Sequence, residues 1–265
     1  MNPNENQDYI VPKSHPRYES LKFRHKIIEG MKKLVVAEAG LIAHGRGECF
    51  DYILGEKTTQ AAKKAIEAAV AALLLAEKPV ISVNGNVAAL IPDKLVILSN
   101  TVNAPLEINL FYQKGGRIEA IKNILQKAGA TEIYGTDPKK MIELKGLESN
   151  RRKVELIAQA DLVMVPLEDG DRTEALKRLN KTVITVDLNP LSRTALWADI
   201  TIVDNIVRTI PEMIKVAKEL KKLNNLQLEN IVKNFDNKKN IRKTLNLISE
   251  YIDKQKEKVF DIVEI

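Results

Sequence analysis

"TVITVDLNPLSRTALWADITIVDN", residues 182–205, sets two β-branched apolar segments on either side of a loop crowded with hydrogen-bonding groups. Residues 182–187 and 200–203 read as buried strands. Asp187, Asn189, Ser192, Arg193 and Thr194 follow the first, and Asp204 and Asn205 follow the second. In open α/β sheets ligands bind in the crevice beyond the carboxyl ends of the strands, so the loop chemistry and the strand pattern point to one place.

The same arrangement recurs upstream. "DLVMVPL" is followed by "EDGDR" (168–172), and "PVISV" by "NGN" (84–86), so four polar loops follow four apolar strands. "KLVILSN", "LEINLFY" and "ATEIYGT" read as further short apolar segments of the same sheet, with helices expected at 86–91, 117–129, 151–160 and 172–179. Such alternation implies an α/β, Rossmann-like, mostly parallel sheet with helices on both faces. Three parts are expected: an N-terminal helical segment (1–78) packed on the core, a nucleotide-binding core (79–210) and a helical C-terminal appendage (211–265). One structural domain would hold all three.

In the first part, residues 1–13 read as a loose start. Ser20 offers an N-cap for a helix to about residue 33, preceded by "SHPRY", where Pro16 forces an extended entry. Residues 39–56, "AGLIAHGRGECFDYILGE", carry four of the chain's 12 glycines. That clustering reads as a tight, close-approaching loop from which His44, Arg46 and Glu48 project together. Thr58 or Thr59 then caps an alanine-rich helix to about residue 77.

Composition narrows the classes. In 265 residues, 45% hydrophobic and 29% charged content describes a folded globular chain. Aromatics at 5% do not supply a base-stacking surface, and the net charge of +6 arises from Lys and Glu interleaved along helices, so no nucleic-acid partner is expected. A single cysteine, Cys49, excludes an internal disulfide and reads as a buried, inert thiol. The longest apolar run, residues 68–76, is far short of a bilayer span. A soluble cytoplasmic protein with no membrane partner is expected.

Each loop has a chemical task and a plainer alternative. "VNGN" (Asn84, Gly85 and Asn86) suits an anionic substrate group facing backbone N–H groups. Asp187, Asn189, Asp204 and Asn205 suit ribose or adenine, and Arg193 suits phosphate. Asp169 and Asp171 are candidates to hold Mg²⁺ through water. Yet Asp187 or Asn189 equally suits an Asx-turn before Pro190, and Asp171 suits the N-cap of helix 172–179. No GxGxxG fingerprint and no P-loop occurs, which weighs against an ordinary dehydrogenase or P-loop kinase.

The strings "SHPRYESL", "GLIAHGRGECFDYILGE", "PVISVNGNVAAL", "EINLFY", "VPLEDGDRTEAL" and "VDLNPLSRTALWADITIVDN" together resemble the archaeal phosphopantothenate synthetases, the 4-phosphopantoate–β-alanine ligases. The resemblance runs in order from about residue 10 to residue 215. It implies an ATP-dependent, Mg²⁺-assisted homodimeric ligase of coenzyme A biosynthesis. ATP would adenylate 4-phosphopantoate with release of pyrophosphate, and β-alanine would displace AMP. Carried over by position, the ATP contacts would be Arg17, Arg46, Asp187, Leu188, Asn189, Arg193, Thr194, Asn205 and Ile206, with Asp204 beside them. Arg46 and Arg193 are candidates to stabilise the α-phosphate in the transition state, with His44 as a further catalytic candidate. A nucleotide-cofactor oxidoreductase and a basic nucleic-acid-binding protein are the rival readings.

Overall fold

The computed structural model describes residues 11–15, 17–110, 115–144 and 153–262. Three helices, α1 (Tyr18–Lys32), α2 (Glu38–Leu54) and α3 (Gln60–Leu75), precede the first strand, β1 (Pro79–Val83). Then follow α4 (Gly85–Leu90), α5 (Pro92–Val102), β2 (Leu106–Ile108), α6 (Arg117–Lys127) and β3 (Ile133–Tyr134). A small antiparallel pair, β4 (Ile142–Glu143) and β5 (Lys153–Val154), interrupts the alternation. The chain resumes with β6 (Leu162–Met164), α7 (Gly170–Arg178), β7 (Thr182–Val186), α8 (Arg193–Trp197) and β8 (Ile200–Ile202). It closes with α9 (Ile206–Leu220), α10 (Asn225–Lys233) and α11 (Asn237–Ile262).

Six strands pair in parallel in the order β3-β2-β1-β6-β7-β8. With the β4–β5 pair set aside this is the doubly wound order, and its reversal lies between β1 and β6. Alternation along the central strands divides the apolar residues between two cores. Ile81, Met164, Ile184 and Ile200 face one core, whereas Val80, Val163 and Val183 face the other with Leu176 and Ile157. Both faces are therefore covered, as the continuous apolar strands anticipated. On the larger core, α3 lies against α9 and α10, with Ala61, Ala65, Ala68 and Ala69 fully buried. Their small side chains let the helices approach closely. Thr59 caps α3, its hydroxyl accepting from the Ala62 N–H at 3.1 Å.

Several local expectations change. "KLVILSN" lies inside α5, not in a strand. Pro92 sits in its first turn and Asp93 beside it, and Leu95, Val96, Leu98, Ser99 and Val102 are buried at helical spacing. The glycine-rich stretch is the helix α2 and not a loop. Two of its glycines answer packing, Gly40 abutting Asn86 and Gly47 lying against Leu188, and Gly55 ends the helix at φ 79°. Glycine in a helix interior costs about 1 kcal/mol relative to alanine, so docking of α2 on the sheet must offset it. In the segment 151–160, residues 153–158 form β5 and one 3₁₀ turn, Leu156–Ala158, in place of a helix; residues 151 and 152 lie outside the described residues. The loose start expected over 1–13 lies mostly outside them, as does Pro16. Cys49 is exposed on α2, not buried. Pro211 is accommodated inside α9, which spans the boundary placed at 210/211. No helix of the described residues is long and apolar enough to cross a membrane.

Candidate functional site

The sheet reversal is held by one side chain. Asn84, directly after β1, accepts the Val87 N–H on Oδ1 at 3.1 Å and so caps α4. Its Nδ2 donates across the gap to the carbonyls of Pro166 and Leu167, both at 3.0 Å. Leu167 has φ 54°, a left-handed conformation that a branched apolar residue adopts only under constraint. A Cβ at Gly85 would stand 2.1 Å from the Val35 carbonyl oxygen, so only glycine fits there. Asn86 donates to the Gly40 carbonyl at 2.9 Å and docks α2 over the strand ends.

Between α2 and the strand ends lies a cavity of about 550 Å³ bordered by His44, Arg46, Glu48, Asn84, Gly85 and Asn86, together with Arg117, Glu168, Leu188, Asn205 and Ile206. A second cavity of about 610 Å³ adjoins it, shares His44, Glu48 and Asn205, and extends to Arg17, Tyr18 and Arg208. Along the shared wall, Arg17 stacks its guanidinium over the Tyr52 ring at 4.1 Å and donates to Ser20 Oγ at 2.8 Å. Ser20 donates to Glu48 at 2.7 Å, and Arg24 Nε donates to the other Glu48 oxygen at 2.9 Å. Burial lowers the pKa of His44; nearby Glu48 opposes that shift and Arg24 adds to it.

Behind Asn205 stands a buried charge network. Arg208 binds Asp51 at 2.6 and 3.1 Å and Asp204 at 2.6 and 2.9 Å. Thr58 donates to Asp204 at 2.6 Å, and Asn205 Nδ2 donates to Asp51 at 2.8 Å. Burial raises the pKa of Asp204, with Arg208 opposing. Asp204, fully buried and bonded on both oxygens, is thus a support for the Asn205 turn and lies outside the cavity lining.

The loop after β7 combines turn and site. Asp187 accepts the Asn189 N–H at 2.9 Å and the Ser192 hydroxyl, and Asn189 accepts the Leu191 N–H at 2.9 Å. Both are Asx-turns, and burial raises the pKa of Asp187, with these bonds and Arg46 opposing. Leu188 packs with Leu54, Val203 and Ile248. Thr194 donates to the Glu168 carbonyl at 2.9 Å and ties this loop to the end of β6. Arg193 points the other way. Its guanidinium is largely exposed and pairs with Asp171 at 2.7 Å and with Glu174, away from the cavity lining.

The N-cap of α7 is Asp169, which accepts the Arg172 N–H at 2.9 Å; Asp171 follows inside the helix. With Asp169 capping and Asp171 bound to Arg193, neither is arranged to hold a cation directly. No cluster of three or more His, Cys, Asp or Glu suited to a metal occurs among the described residues. Arg117, buried on the cavity wall with its guanidinium donating to the Val35 carbonyl at 2.9 Å, went unread in the sequence. Its signal was a cation directly after "GG" at a helix start. Glu168, on the cavity wall beyond the end of β6 with its side chain largely buried, has its pKa pushed up to about 7 by burial, against the pull of Arg172.

A family model described as phosphopantothenate/pantothenate synthetase matches residues 61–251. A 4-phosphopantoate–beta-alanine ligase of Thermococcus onnurineus is 55% identical over 247 residues, covering 92% of this chain and 94% of the relative. Its counterpart from Thermococcus kodakarensis is 57% identical over 238 residues, 89% of this chain and 90% of that one. One from Methanosarcina mazei is 49% identical over 244 residues, 91% and 95% of the two chains.

Proposed function

The chain belongs to the phosphopantothenate/pantothenate synthetase family, and from that premise we propose that it is a 4-phosphopantoate–β-alanine ligase. In this reading ATP and Mg²⁺ convert the carboxylate of 4-phosphopantoate to an acyl-adenylate with release of pyrophosphate. β-Alanine then displaces AMP to give 4′-phosphopantothenate, a step of coenzyme A biosynthesis. A cytoplasmic homodimer is part of the same proposal.

One observation supports it above the others: polar groups from the ends of β1, β6 and β8, and from α2, border a single cavity where the strand order reverses. Within it Asn84, Gly85 and Asn86, with the Arg117 guanidinium beside Gly85, form a cationic and amide-rich corner suited to the phosphorylated acid. Leu188, Asn205 and Ile206 border the same cavity and suit the nucleotide, with Asp187 and Asn189 shaping the Leu188 turn. Arg46, exposed on α2 and bordering the cavity, is placed to meet charge developing on an α-phosphate. Arg17 would reach the nucleotide from the adjoining cavity. Arg193 and Thr194 sit at the start of α8, and Arg193 would have to exchange Asp171 and Glu174 for phosphate oxygens. Magnesium, bound by triphosphate oxygens and water, would neutralise phosphate charge without a dedicated carboxylate cage.

The test is the product balance of purified protein with ATP, Mg²⁺, 4-phosphopantoate and β-alanine. Sustained formation of AMP that requires both acid and amine, with pyrophosphate as the co-product, supports the reading. ADP and phosphate in their place overturn the adenylate step, and no turnover at all overturns the ligase.

A further inference from the structure

One side chain borders both cavities and has an unmet hydrogen bond. His44 lies on the inner side of α2, and its Nε2 is buried and carries no hydrogen bond. A buried polar atom without a partner is costly by about 1–3 kcal/mol, and a ligand group entering at this point would remove the cost. One turn along the same helix face, Glu48 presents a carboxylate fixed by Ser20 and Arg24, bordering both cavities as well. A neutral imidazole next to an anchored carboxylate is an arrangement for an ammonium group: the carboxylate draws it in and the imidazole receives its proton.

We propose that His44 is the proton acceptor for β-alanine, whose ammonium group docks against Glu48 where the two cavities meet. This rests on the ligase reading above. The charged and titratable groups bordering this point are Glu48 and Arg46 on α2, Arg24 on α1, and Lys13, His15, Arg17, Tyr18, Glu19, Asp51, Glu56 and Arg208 around the second cavity. Burial keeps the imidazole neutral to lower pH than usual, so it is able to accept a proton at neutral pH.

In the step, one ammonium proton passes to His44 Nε2, and the freed nitrogen pair forms the C–N bond to the acyl carbon. The acyl C–O bond breaks with its electron pair leaving on AMP, and the second nitrogen proton passes to solvent water. Capture of the amine by the acyl group draws the uphill first transfer forward.

The experiment compares wild type and His44→Gln with two amines, β-alanine and hydroxylamine, whose nitrogen is already unprotonated at neutral pH. In the variant, β-alanine turnover falls about 100-fold or more, and raising the pH recovers part of it. Hydroxamate formation and 4-phosphopantoate-dependent ATP–pyrophosphate exchange stay close to wild type, which also shows the variant is folded. Equal losses with both amines, or no loss with β-alanine, overturn the proposal. A wild type that forms ADP in place of AMP overturns only the adenylate step, and the ratio of the two amines still decides the role of His44. Inactivity of wild type with both amines overturns the ligase reading and this role together.

Discussion

Asn84 Nδ2 stands 3.0 Å from the Leu167 carbonyl oxygen, across the gap where β1 and β6 diverge. The same side chain caps α4 and holds Leu167 in its left-handed conformation. Asn84→Ala therefore loses a cap and leaves two carbonyls short of a donor. A loss of about 1–3 kcal/mol is expected in chemical denaturation. Asn84→Asp keeps the cap but sets carboxylate oxygen against those carbonyls, so turnover should fall further than the helix cap alone explains. Wild-type kinetics in Asn84→Asp would contradict this role.

Glycines in this chain separate cleanly by what surrounds them. At Gly85 a methyl would meet the Val35 carbonyl at 2.1 Å and the Arg117 guanidinium at 2.9 Å, whereas at Gly45 nothing lies within 4 Å. Gly85→Ala should destabilise the fold and depress turnover. Gly45→Ala should raise stability by up to about 1 kcal/mol, since the position is an exposed helix interior. Thermal midpoints of the two variants, measured side by side, decide it.

The Asp51–Arg208–Asp204 network braces the Asn205 turn from behind the cavity. Asp51→Ala leaves Arg208 and Asn205 each without one partner. Breaking a buried pair in this way costs about 3–5 kcal/mol, reduced here because Arg208 is partly exposed. Arg208→Leu, which leaves the buried Asp204 with the Thr58 hydroxyl and the Asn205 N–H but without its cation, should be worse than Asp51→Ala. Equal stability of the two variants would mean that Asp204 is not sustained by Arg208.

Glu168 makes stability depend on pH. Its folded-state pKa of about 7 lies above the ordinary 4.5, so the folded chain holds a proton that the unfolded chain releases first. The stabilisation is fully present below about pH 4.5 and is lost as pH rises through about 7. Relative to Glu168→Gln, the wild-type denaturant midpoint should therefore fall between about pH 5 and pH 8. A constant difference across that window contradicts the buried-carboxyl account.

Much of the fold was legible because strand burial leaves a direct record. "PVISV", "DLVMV" and "TVITV" are mostly apolar, with Thr and Ser as their only other members inside the strands, and a strand covered on both faces permits little else. The polar loops after them were legible for the same reason, as abrupt changes at strand ends. The α2 segment was not, because two of its glycines answer contacts made far away in the chain, Gly40 with Asn86 and Gly47 with Leu188. "KLVILSN" misread as a strand because a short apolar run carries no period of its own, and Pro92 as a helix start was the overlooked signal. Asp187 and Asn189 form the Asx-turns, and these shape the loop that brings Leu188, and neither of them, to the cavity lining. Arg193 shows the limit of residue type as a guide, since α7 supplies two carboxylates that only the folded chain brings to it.

The central claim is that nucleotide and phosphorylated acid meet in the cavity between α2 and the diverging strands β1 and β6. A crystal structure with a non-hydrolysable ATP analogue and 4-phosphopantoate tests it directly. The account predicts the acid beside Asn84, Asn86 and Arg117, and an α-phosphate within reach of Arg46. Both ligands ordered elsewhere on the molecule, with Asn84 and Arg46 touching neither, would contradict it.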